Sequence, residues 1–124
     1  MSNRPAIEAM LGEYFDVMYT QDMVKFDRVF HKDVVLYSAQ TGELNRRPYD
    51  VYREAVLNRE SPESKGEVRK DEILLIDEIS DTAAMAKVQL QMFGGVMQDY
   101  LTLIHIDGRW QIISKIWERV GDAA

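Results

Sequence analysis

Asp99-Tyr-Leu-Thr-Leu-Ile-His-Ile-Asp-Gly-Arg-Trp-Gln-Ile-Ile-Ser-Lys-Ile-Trp117 reads as two strands joined at Asp107-Gly108. An Asp-Gly pair between alternating runs is a strong local hairpin signal, because both residues tolerate the left-handed backbone of a tight strand-matching turn. Along the first strand Asp99, Leu101, Leu103 and His105 share one face, and Tyr100, Thr102, Ile104 and Ile106 the other. Neither face is purely polar, so both sides of the sheet are expected to be covered. Asp99 lies among leucines, where an unpaired carboxylate is costly. That combination suggests a sheet wrapped around a pocket.

Working back from this hairpin, the turn signals Ser80-Asp81, Gly94-Gly95 and Asp107-Gly108 separate four strands, expected near 67–79, 83–93, 96–106 and 109–119. Strands joined by such short connections form an antiparallel meander. Glu60 to Gly66 is a polar loop ahead of it, and Gly121 to Ala124 a short tail. The first half is helical. Ile7, Met10, Leu11, Tyr14, Val17 and Met18 recur at helical spacing from Pro5 to about Tyr19, with Ser2 or Asn3 as cap. Asp22 caps a second, short helix burying Phe26, Val29 and Phe30. Val34 to Gln40 reads as a strand ended by Thr41-Gly42. Pro48 starts a third helix with Tyr49, Tyr52, Val56 and Leu57 on its apolar side.

The chain has 124 residues, of which 46% are hydrophobic and 29% charged, the make-up of one globular domain spanning 1–124 with a core of about 4–120. Its net charge of -6 makes nucleic acid an unfavourable partner. The pair Arg46-Arg47 reads as a solvated loop. There are no cysteines, which excludes disulfides and thiolate chemistry. The N-terminal stretch lacks a signal-peptide core, and no apolar run is long enough for a bilayer, so a soluble cytoplasmic protein with no membrane partner is expected. His31 and His105 are the two histidines. His31 reads as exposed, and His105 lies roughly 20 Å along the strand from Asp99. No carboxylate cluster has metal-ligand spacing, so neither metal nor cofactor is expected.

Register decides which residues accompany Asp99. A three-residue loop at Ile106-Asp107-Gly108 places Lys115 opposite Asp99, whereas a two-residue Asp-Gly turn places Ile116 there. The first is expected. It gathers Asp99, Gln111 and Lys115 on one side together with Leu101, Ile113 and Trp117. On the other it leaves Tyr100, Ile104, Ile106, Trp110, Ile112 and Ile116 as an apolar surface. The three helices can cover one side of the sheet. Nothing remains in the chain to cover the other, so a homodimer through the outer sheet face is expected.

Three helices interleaved with one strand, then a meander ending in Asp-Gly-Arg-Trp-Gln-Ile-Ile-Ser-Lys-Ile-Trp, resemble the nuclear-transport-factor-2-like superfamily over about Arg4 to Val120. The ending looks most like its polyketide-cyclase-like and putative lumazine-binding branches. The resemblance implies an α+β fold in which three N-terminal helices pack on a curved antiparallel sheet, forming a cone whose open end is a ligand cavity. It is distantly similar to ketosteroid isomerase, whose oxyanion hole uses a helix-1 tyrosine and a protonated strand aspartate, with a second aspartate as base. Tyr14 and Asp99 stand where the oxyanion-hole pair would. Ser38 falls at the base position, and a hydroxyl is far too weak for that task near neutral pH.

The resemblance therefore implies a polar cavity without that enzyme's base. The expected function is binding of a planar or polycyclic organic molecule, with Tyr14, Ser38, Asp99 and Lys115 as polar contacts and Leu101, Ile113 and Trp117 as apolar ones. A catalytic version would be a proton-transfer enzyme (isomerase, dehydratase or cyclase) with Asp99 as acid or base and Tyr14 as donor. The alternative is a non-catalytic dimerisation or adaptor domain working through the outer sheet face.

Overall fold

The computed structural model describes residues 2–123. Helix α1 (Arg4–Thr20) buries the apolar stripe read from the sequence, from Ile7 to Met18, and carries its proline in the first turn. The Ser2 hydroxyl accepts a hydrogen bond from the Arg4 N–H at 3.0 Å. This satisfies one of the donors that a helix start leaves free. Helix α2 (Met23–Val29) is capped by Asp22, whose carboxylate accepts from the Val24 and Lys25 N–H groups at 3.0 and 3.1 Å. The chain then passes without a loop into strand β1 (Phe30–Ser38). This strand starts four residues before Val34, because Phe30 already has extended geometry as it leaves the helix.

A short strand β2 (Asn45–Pro48) follows and pairs antiparallel with β1. The sequence gives it no alternation, and its Arg46-Arg47 is strand, not the loop expected. Helix α3 (Tyr49–Asn58) buries Tyr52 and Val56. Leu57, expected on its apolar side, is 52% exposed. The meander is formed by β3 (Asp71–Glu78), β4 (Ala83–Met92), β5 (Gly95–Ile106) and β6 (Arg109–Asp122). Strand β6 extends into the expected tail.

The sheet order is β2-β1-β6-β5-β4-β3. Strand β1 runs parallel to β6, so the sheet is mixed and not wholly antiparallel. Such a pairing joins segments far apart in sequence, and no local turn signal can announce it. Helix α1 packs on α2 and touches β6 and β3, α2 touches β1 and β6, and α3 lies against β1 and β2. The core between helices and sheet is aromatic at its centre. Phe26 and Phe30 stack with centroids 4.6 Å apart, and Tyr14 and Tyr52 each meet Phe30 edge-on. No helix among the described residues is long and apolar enough to cross a membrane.

Candidate functional site

The β5–β6 hairpin closes through Asp107 (φ 54°) and Gly108 (φ 79°), with Ile106 paired to Arg109. Two consecutive positive φ angles make a two-residue turn whose twist suits the strands. The expected three-residue loop is therefore replaced by the tighter alternative. Near the tip His105 pairs with Trp110 and Leu103 with Ile112. Trp110 and Ile112 consequently turn inward and are 4% and 0% exposed, not part of the outer surface.

A β-bulge then changes the count. Thr102 pairs with Ser114, leaving Ile113 as the extra residue, and beyond it Leu101 faces Lys115 and Asp99 faces Trp117. A bulge adds one residue to one strand and so reverses which side its later residues occupy. Lys115 and Trp117 thereby return to the Asp99 side, although Lys115 stands opposite Leu101. The cost falls on Ile113, which is half-buried and lines no cavity with Asp99. Gln111 is buried but remote, its amide donating to the Ile106 carbonyl at 3.2 Å.

Three buried polar side chains meet in the core. The Tyr14 hydroxyl donates to Asp99 Oδ2 at 2.6 Å, and Lys115 Nζ donates to Tyr14 Oη at 2.7 Å. Lys115 Nζ also lies 3.7 Å from Asp99 Oδ2 and 3.4 Å from the Tyr52 hydroxyl, over the rings of both tyrosines. Tyr14 is fully buried, and Asp99 and Lys115 are 3% and 5% exposed. Burial, followed by the Asp99 charge, holds the Tyr14 phenol well above its ordinary pKa. Each member satisfies another, which is how charged groups persist in a core.

The hydrogen-bond directions separate this trio from a two-donor oxyanion hole. Tyr14 gives its proton to Asp99, so it offers none to a ligand. Asp99 Oδ1 accepts no hydrogen bond among the described residues, and the carboxylate forms part of a cavity wall. That cavity has a volume of about 280 Å³. Asp99, Lys115 and the Tyr52 ring form one part of its wall; Met18, Leu36, Leu90, Met92 and Met97 form an apolar part; and Trp117 flanks Asp99. Tyr14 stands behind the carboxylate, and Leu101 is fully buried next to it without reaching the cavity. Ser38 is buried at the end of β1, its hydroxyl accepting from the Gln40 N–H at 3.4 Å, and is not in the wall.

Three arginines that the sequence reading did not select complete the cavity: Arg47, Arg59 and Arg119. The Arg47 guanidinium lies 5.1 Å from the Trp117 ring centre, and that of Arg59 lies 5.2 Å from the Phe93 ring. Arg119 crosses Gly95 so closely that a Cβ there would sit 2.5 Å from its Nε. Two of these were within reach of periodicity. Arg59 continues the Tyr52, Val56 face at i+7, and Arg119 continues the alternation of Lys115 and Trp117. Arg47 gives no such signal, because β2 is too short to show a period.

The histidines stay apart from the trio. His31 Nδ1 accepts from the Asp33 N–H at 2.9 Å, and His105 meets Trp110 edge-on near the hairpin tip. Among the described residues no three His, Cys, Asp or Glu side chains gather as a metal site would require.

A family model described as "Putative lumazine-binding" matches residues 2–118. No curated protein matches the chain. Among solved structures, an NTF2-like protein of unknown function from Shewanella baltica superposes with a TM-score of 0.81 at 22% identity, covering 97% of this chain and 95% of that one. Another from Silicibacter pomeroyi gives 0.79 at 20% identity over 97% and 100%. A ketosteroid isomerase-like protein from Erwinia carotovora gives 0.77 at 17% identity over 97% and 98%. These similarities establish a nuclear-transport-factor-2-like fold.

Proposed function

The chain belongs to the putative lumazine-binding family, and from that premise we propose that it binds a small planar or polycyclic organic molecule in the cavity beside Asp99. The observation that carries this reading is the buried Lys115–Tyr14–Asp99 chain opening at one end onto an otherwise largely apolar cavity. Apolar walls with a few convergent polar groups are the usual make-up of a small-molecule site. Asp99 Oδ1 and Lys115 supply polar contacts, Trp117 a stacking surface, and Tyr14 fixes the carboxylate from behind. A proton-transfer reaction in this cavity (isomerisation, dehydration or cyclisation) would use Asp99 as its acid or base, since it is the one carboxylate in the wall among the described residues.

Thermal shift against pteridines, flavins, steroids and polyketide ketones tests this, with Asp99→Asn alongside. A ligand at a hundred times its dissociation constant adds about 2.7 kcal/mol, enough to raise the midpoint of so small a domain by several degrees. A shift lost in the variant supports the site. No shift with any compound overturns it.

A homodimer through the outer sheet face belongs to the same proposal. Tyr100, Ile116 and Val120 are 50%, 51% and 52% exposed on neighbouring strands. They make a smaller apolar surface than the sequence implies, because Trp110 and Ile112 have joined the core. The same face supports the second reading, a non-catalytic adaptor whose partner is another protein.

A further inference from the structure

We propose, resting on the cavity reading above, that the ligand carries a carboxylate and that Arg59 receives it. The chain as a whole is acidic, with a net charge of -6, yet Arg47, Arg59, Lys115 and Arg119 line this cavity against, among the described residues, the single carboxylate of Asp99. Most of these cations are occupied. Lys115 serves Tyr14 and Asp99. Arg119 holds Asp122 at 2.6 Å and the Gly94 carbonyl at 3.3 Å. Arg47 Nε donates to the Asn45 side chain at 3.2 Å while its guanidinium lies over Trp117.

Arg59 differs from all of them. Its Nε is buried and has no hydrogen-bond partner among the described residues. Its Nη2 reaches only the Met18 sulfur, at 3.8 Å. Nε and Nη2 form the side-on edge of the guanidinium, the edge that fits the two oxygens of a carboxylate. The protein uses that edge elsewhere. Arg53 donates from Nε and Nη2 to the two oxygens of Asp27, both at 2.9 Å, and Arg28 grips Glu13 in the same way. In Arg59 the same edge has no oxygen to receive it: Nε is enclosed, Nη2 reaches Met18, and the residue lines the cavity with its guanidinium beside Phe93. A guanidinium cannot remove its charge by losing a proton, so an incoming anion is the partner the edge lacks. The aromatic and methionine walls suit a flat apolar body behind that carboxylate.

The test is titration calorimetry with 2-naphthoate and its neutral counterpart 2-naphthamide on the wild-type protein, Arg59→Gln and Arg119→Gln. The acid is expected to bind about tenfold more tightly than the amide to the wild type, as a charge-assisted bidentate contact requires. That ratio should fall to near one in Arg59→Gln with amide binding kept, and should survive in Arg119→Gln. Amide binding to Arg59→Gln shows that the variant's cavity has formed, and the wild-type ratio needs no variant. Equal binding of the two compounds to the wild type overturns the carboxylate inference and leaves the cavity reading standing. A ratio unchanged in Arg59→Gln overturns the assignment to Arg59. Binding of neither compound at millimolar concentration withdraws the cavity reading and this inference together.

Discussion

The Tyr14 hydroxyl lies 2.6 Å from the Asp99 carboxylate, across 85 residues of sequence. That contact ties the first helix to the penultimate strand through the centre of the core. With Lys115 it forms a linked chain of donors and acceptors whose members depend on one another.

Tyr14→Phe should therefore cost more than a surface hydroxyl. It leaves Asp99 Oδ2 and one Lys115 donor without their shortest partner, a loss of about 1–3 kcal/mol for buried groups. Chemical denaturation should show a lower midpoint with an unchanged slope. A midpoint equal to the wild type would mean that water or another side chain replaces the hydroxyl.

Removing one charge should be worse than removing both. Lys115→Met strands Asp99 in the core and is expected to cost about 3–5 kcal/mol, whereas exchanging both partners for apolar residues is often close to neutral. The double variant Asp99→Leu/Lys115→Met should accordingly be more stable than Lys115→Met alone. Additive losses in this cycle would show that the pair, 3.7 Å apart, is not coupled.

Stability should fall at alkaline pH through Tyr14. Burial and then the Asp99 charge raise its pKa in the folded state, so the folded protein holds this proton more tightly than the unfolded chain does. Where the native state binds more protons, stability declines as pH rises. The contribution is complete below about pH 10, the ordinary tyrosine value, and is lost above it. The stability difference between wild type and Tyr14→Phe should thus shrink between pH 9 and 11. A constant difference would contradict the shift.

On the outer face, Ile116→Glu should weaken self-association and leave the fold intact, since Ile116 is 51% exposed. Ile112→Asp, at a fully buried position, should unfold the protein, because it places an unpaired charge in the core. Sedimentation equilibrium with a melting curve separates the two effects. A monomeric wild type at micromolar concentration would remove the dimer.

What proved legible in the sequence follows from what is local. Helix α1 is written in apolar side chains spaced three and four apart, and the β5–β6 hairpin in an Asp-Gly pair between alternating runs. The β4–β5 turn shows how fine the limit is. The structure turns on Phe93-Gly94, one residue before the Gly94-Gly95 signal, because Phe93 accepts a left-handed backbone that its side chain does not advertise. Lys115 and Trp117 share the Asp99 side, but Trp117 and not Lys115 stands opposite Asp99, and for a reason the sequence could not contain. The tight turn alone would have sent them to the far side, and the bulge at Ile113 brought them back.

By itself, then, the sequence determined the order of its elements apart from the short strand β2, the burial of Tyr14 and Asp99, and the family to which the chain belongs. These rest on periodicities and turn chemistry that act over a few residues. Only the tertiary structure decided the parallel β1–β6 pairing, the bulge, the inward turn of Trp110 and Ile112, and the meeting of Arg59 with the cavity. Each of these balances packing between segments tens of residues apart, and a core resolves such a balance only when all its parts are present at once.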